Sequence, residues 1–134
     1  MKRLLLVLAL AFAVNSCSVG EESNITSFAL LAIDSVELAD SYPLNETTEI
    51  MVKYRRPTDC FIFDGFYIQP DGYTFTVSVQ AVELNESNCL DDSMNVFEVP
   101  LEFHPTTAGD YTFRFYSGTI NNVPEFLEYH VSVE

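Results

Sequence analysis

Few side chains in this sequence can carry covalent or ionic chemistry, and their spacing limits which kinds. There are three cysteines (Cys17, Cys60, Cys89), two histidines (His104, His130), and 6 basic residues against 20 acidic ones. Arg55-Arg56-Pro57 gathers much of the scarce positive charge into one dipeptide. Its forked donors suit a carboxylate or phosphate ligand; the alternative is that the two arginines balance nearby acids such as Asp59 and Asp64. His104 precedes Pro105, and His130 falls opposite an apolar row, so both read as exposed bystanders rather than catalytic bases. No G-x-S-x-G, H-E-x-x-H, P-loop or Gly-rich dinucleotide pattern occurs. Asp59, Asp64, Asp71, Glu86, Asp91 and Asp92 offer the hard oxygen ligands that Ca²⁺ prefers, without EF-hand spacing. Chance clustering is the simpler account of acids in so acidic a chain, so no metal and no cofactor are expected.

The amino terminus supplies an address. Lys2 and Arg3 precede an apolar run from Leu4 to Val14, about half the ~20 residues a membrane-spanning helix needs, which reads as an export signal. It ends in Val14-Asn15-Ser16-Cys17, which resembles the lipobox of bacterial lipoproteins. That resemblance implies cleavage before Cys17 and a lipid on its sulfur. The odd cysteine count then resolves, since Cys60 and Cys89 remain to pair with each other in an oxidising compartment. A bridge closing a loop of about 30 residues is worth roughly 3 to 4 kcal/mol in the chain-entropy account. Residues 1–16 are thus assigned as signal peptide, 17–29 as lipidated cysteine and flexible tether, and 30–134 as a folded domain.

The formal charge is −14, and the two basic residues ahead of Cys17 leave the remainder more acidic still. Nucleic acid is excluded as a partner on that ground, because its binding depends on Lys and Arg neutralising phosphates. With 48% hydrophobic residues, 11 Phe and 7 Tyr, the chain can nevertheless bury a real core. The aromatics lie among Val, Ile and Thr in short runs, as in strands.

The elements that must hold these groups follow from period-two alternation. Seven strands are expected: Leu30 to Leu38, Thr48 to Tyr54, Cys60 to Ile68, Gly72 to Leu84, a segment around Phe97 to Phe103, one around Tyr111 to Tyr116, and a last one through Val133. Core rows are read at Ile50, Val52 and Tyr54; Tyr73, Phe75, Val77, Val79 and Ala81; Phe97, Val99, Leu101 and Phe103; Tyr111, Phe113 and Phe115; and Leu127, Tyr129, Val131 and Val133. Thr74, Thr76, Ser78 and Gln80 face outward. Cys60 to Ile68 is so apolar that it is expected to be a central strand covered on both sides, Pro100 marks an edge or bulge, and Ser117 to Glu125 reads as a loop. Tyr67, Tyr116 and Phe126 are the aromatics able to stack on sugars if exposed, with core packing or sheet cover the simpler alternative.

Seven short strands in this length argue for an all-β, immunoglobulin-like β-sandwich of antiparallel strands. Ala108-Gly109-Asp110-Tyr111-Thr112-Phe113 resembles the corner of such domains, which implies a bond from the Tyr111 hydroxyl to the backbone upstream. Tyr54-Arg55-Arg56-Pro57-Thr58-Asp59-Cys60, Phe63, Phe66-Tyr67, Asn88-Cys89 and Gly109 to Phe113 together resemble a group of small, uncharacterised lipoproteins of flavobacteria and other Bacteroidota. The resemblance implies location and fold and carries no activity with it. The expectation is a non-catalytic, lipid-anchored binding or structural interaction module at the outer membrane, facing the periplasm or the cell surface. An inhibitor of an exported hydrolase and a hydrolase built on carboxylates are the alternatives.

Overall fold

The computed structural model describes residues 25–134, and side-chain burial from residue 27. The expected signal peptide, the lipobox with Cys17, and the tether up to residue 24 lie outside the described residues. Nine strands follow in order: β1 (Ile25–Leu31), β2 (Ile33–Glu37), β3 (Ser41–Tyr42), β4 (Thr48–Tyr54), β5 (Phe61–Asp71), β6 (Thr74–Leu84), β7 (Phe97–Phe103), β8 (Gly109–Ile120) and β9 (Val123–Val133). They form two sheets packed face to face, one of six strands (β1, β3, β5, β6, β8, β9) and one of three, in the order β2-β4-β7.

The alternating rows make the core. Ile50 and Val52 of β4, Val77 and Val79 of β6, and Phe115 of β8 are fully buried, joined by Phe113, Tyr111, Val131 and Val133. The aromatics interlock edge to face: Phe103 of the small sheet meets Phe113 of the large one at a centroid distance of 5.1 Å and an angle of 82°. The Tyr111 hydroxyl donates to the carbonyl of Thr107 at 2.7 Å, the backward bond expected of that corner. Pro100 lies on β7, an edge strand of the small sheet, where its missing N–H costs no ladder bond.

Several expectations are corrected. The first strand begins at Ile25 and breaks at Ala32; Leu31 and Ile33 are both buried on either side of the break, so β1 joins the large sheet and β2 the small one. The sheets are not purely antiparallel. β6 runs parallel to β8 over Thr74–Val77 with Thr112–Phe115, and β3 runs parallel to β9. Between β6 and β8 the chain crosses to the other sheet as β7 and returns in its original direction, and periodicity carries no trace of direction. Tyr73 is exposed at the β5–β6 turn, its ring edge-on to Tyr111 at 5.0 Å.

The aromatic run after Cys60 is an edge strand and not a central one. Among the described residues β5 pairs only with β6, and Ile62, Phe63, Tyr67 and Ile68 are exposed. The expected loop from Ser117 to Glu125 is instead a continuous hairpin. β8 and β9 pair down to Ile120 and Val123, and the two-residue turn is Asn121-Asn122, both at positive φ (51° and 63°), a pattern that asparagine tolerates and that matches strand twist.

Candidate functional site

The arginine dipeptide is held by structural partners. At the end of β4, Arg55 Nε donates to Asp34 at 3.0 Å, with a second bond to the Met94 carbonyl at 3.1 Å. Arg56 Nε meets Asp92 at 2.6 Å, bonds the Phe61 carbonyl at 2.9 Å, and lies over the Phe97 ring at 4.4 Å. Hydrogen bonds from Asn95 and then Arg56 hold the Asp92 carboxyl below the ordinary range. Each arginine therefore faces a carboxylate, though not Asp59 or Asp64.

Cys60 and Cys89 are joined, their Cα atoms 5.6 Å apart. The bridge sits among local backbone pairings: Leu84 N–H to the Cys60 carbonyl at 2.9 Å, Asp59 N–H to that of Leu90 at 3.0 Å, and Asp92 N–H to that of Pro57 at 3.1 Å. The loop after β6 is thereby fastened to the start of β5.

The acids singled out for calcium are dispersed on local duties. Asp59 accepts from the Leu90 N–H at 2.8 Å, Asp64 from the Gln80 amide at 2.9 Å, and Asp91 from Ser93 N–H and hydroxyl. Asp71 ends β5, exposed, and Glu86 lies exposed in the loop after β6. Among the described residues the one close group of ligand-type atoms is Asp59, Cys60 and Cys89, whose sulfurs are already bonded to each other. His104 meets Thr47 at 3.0 Å and His130 meets Thr112 at 3.0 Å, each exposed.

A different set of side chains does come together. On its edge opposite β5, β6 pairs with β8 over Thr74–Val77 and with β1 over Val79–Leu84, so the β8–β9 hairpin must leave the sheet where β1 enters. A bulge between Tyr116 and Gly118 marks that departure; Gly118 has φ +123°, a conformation that glycine adopts without strain. The fork leaves a depression of about 340 Å³ on the outer face of the large sheet. Tyr67 stands on one side of it and Tyr116 and Phe126 on the other, with Leu30 from β1 alongside. Thr76 and Ser78 of β6 lie between, and Ser78 is the buried polar side chain of the described residues, at 6% exposure.

The three aromatics considered for sugar stacking thus line one site. Their rings are braced: the Gln69 amide donates to the Tyr67 hydroxyl at 3.1 Å, the Tyr116 and Thr119 hydroxyls are 2.9 Å apart, and Arg114 covers one face of Phe126 at 4.2 Å. Alternation places Thr76 and Ser78 on this outward face without assigning them a role, and nothing in the sequence marks Leu30, Gln69, Thr119 or Asn122 as site residues. Period-two registration of Gln69 against Thr76, and Tyr67 against Ser78, was the available signal once β5 and β6 are paired as a hairpin.

Two further hollows adjoin. A notch of about 390 Å³ shares Leu30 and Tyr116 with the depression and is bounded by Arg55, Arg56 and Pro57. A cleft of about 240 Å³ is walled by Phe75, Leu101, Phe103 and Tyr111, with the exposed Glu102 and His104 also lining it. No family model matches the chain, and neither a curated protein nor a solved structure shows significant similarity to it.

Proposed function

We propose that this chain is a non-catalytic binding module, an immunoglobulin-type sandwich of the Bacteroidota lipoprotein kind held at the outer membrane by a lipid on Cys17. The outer face of its large sheet meets an uncharged partner. The observation that carries the binding role is the make-up of the depression at the sheet fork. Aromatic walls, hydroxyls and amides line it, and among the described residues no carboxylate, imidazole, thiol or amine does. Such a lining orients a ligand by shape and hydrogen bonds. A rigid sheet carries these side chains, and the paired hydroxyls and amide fix the rings before any ligand arrives, which lowers the entropic cost of binding.

The anchor is supported by the apolar leader and the lipobox resemblance around Cys17. Labelled palmitate is expected to enter the full-length chain, and Cys17→Ser is expected to abolish labelling and release the protein from the membrane fraction. Unchanged membrane association of that variant refutes the anchor. For the binding role, a fragment screen by NMR is expected to shift resonances of Tyr67, Tyr116 and Ser78. A screen whose hits fall elsewhere refutes it.

A further inference from the structure

Resting on that reading of the depression, we propose that its ligand class is the neutral saccharide. One or two units of an uncharged oligosaccharide would seat with C–H ring faces against Tyr67 and Tyr116 and with hydroxyls toward Thr76, Ser78 and Asn122. Charge points to an uncharged ligand. No ionised side chain of the described residues lines the depression; Arg114, which covers Phe126, faces Glu128 at 3.7 Å, and the neighbouring Arg55 and Arg56 are neutralised by Asp34 and Asp92. A cation finds no counter-charge there, and an anion meets a chain of formal charge −14.

Hydrogen-bond complementarity points the same way. Hydroxyls and carboxamides each donate and accept, so the lining suits a ligand that does both at close spacing, as vicinal hydroxyls do. A purely apolar ligand would strip water from Ser78, Thr76 and Asn122 and offer nothing in return. The aromatic walls complete the match, because a sugar ring presents polar edges and apolar C–H faces.

Strand pairing separates a saccharide from a peptide. Extended peptides bind sheets by adding to a free edge. Here β6 forms the floor, and both its edges are taken, by β5 on one side and by β8 and β1 on the other. The floor of the site therefore offers a peptide no backbone ladder, and the free edge of β5 lies on the side of that strand away from β6, so recognition within the depression comes from side chains.

The test is isothermal titration of the full-length chain in detergent micelles with cellohexaose, maltohexaose, xylohexaose, mannohexaose and chitohexaose. At least one is expected to bind. Tyr116→Ala and Tyr67→Ala are each expected to weaken that binding about tenfold, and Tyr116→Phe, which keeps the ring, by less than about threefold. His130→Ala, on the same face but outside the depression, should leave binding unchanged, and a cooperative thermal transition for each variant shows that it is folded. Raising salt should barely alter the affinity, as befits an uncharged ligand. Silence from every hexasaccharide, or binding indifferent to both alanine variants, overturns the proposal. If uncharged fragments that are not sugars still shift Tyr116 and Ser78 resonances, the saccharide class falls while the binding reading stands. If nothing shifts them, both fall.

Discussion

Breaking the Cys60–Cys89 bridge is the perturbation whose size follows most directly from the fold. The two residues are 29 apart in sequence, so oxidation removes from the unfolded ensemble the freedom of a loop of that length. The chain-entropy relation puts this at about 12 cal/mol/K, or about 3.6 kcal/mol at 25 °C. For a folded region of roughly 110 residues, with an unfolding entropy near 2.1 cal/mol/K per residue, that corresponds to about a 15 °C fall in Tm. The native state should change little, because the backbone pairings of 57–60 with 84 and 90–92 do not depend on the sulfurs. Thermal unfolding followed by circular dichroism, with and without reductant, on the wild-type chain and on a Cys60→Ala/Cys89→Ala variant, measures it. Reduced wild type and the double variant should melt within a few degrees of each other, well below the oxidised chain. A fall smaller than about 4 °C on reduction would mean that the reduced, unfolded chain already keeps this loop closed, and the entropic account fails.

Three further outcomes are expected. Phe115→Ala removes a fully buried ring stacked on Phe113 and edge-on to Tyr129, and should cost about 3 to 5 kcal/mol by urea denaturation, a large part of the stability of a domain this size. Tyr111→Phe deletes only the bond to the Thr107 carbonyl and should cost about 1 kcal/mol, or about 4 °C in Tm. Hydrogen bonds from Ser93 hold the Asp91 carboxyl low, and those from Asn95 and Arg56 do the same for Asp92. A folded-state value below the unfolded one means stabilisation that is complete above about pH 4 and is lost as pH falls through the folded value. Melting temperature should therefore be level from about pH 7 to 5 and drop below about pH 4, and an Asp92→Asn variant should show a shallower drop; an equal drop refutes the assignment.

The sequence by itself determined the inward rows. Alternation has the same period as the pleat, so Ile50 with Val52, Val77 with Val79, and Phe113 with Phe115 could be assigned to the core without knowing any partner. Local backbone chemistry was equally legible at Pro100 and at the Tyr111 corner, and the cysteine count, read with the lipobox resemblance, left Cys60 and Cys89 as the pair. What only the tertiary structure decided is which strand lies beside which, and in what direction. An apolar run such as Phe61 to Ile68 has the same composition whether it is central or at an edge, and the parallel meeting of β6 with β8 joins segments separated by a whole crossover. The depression depends on that choice. Tyr67, Ser78, Tyr116 and Phe126 lie on four strands, and it is the splitting of one edge of β6 between β8 and β1 that leaves room among them.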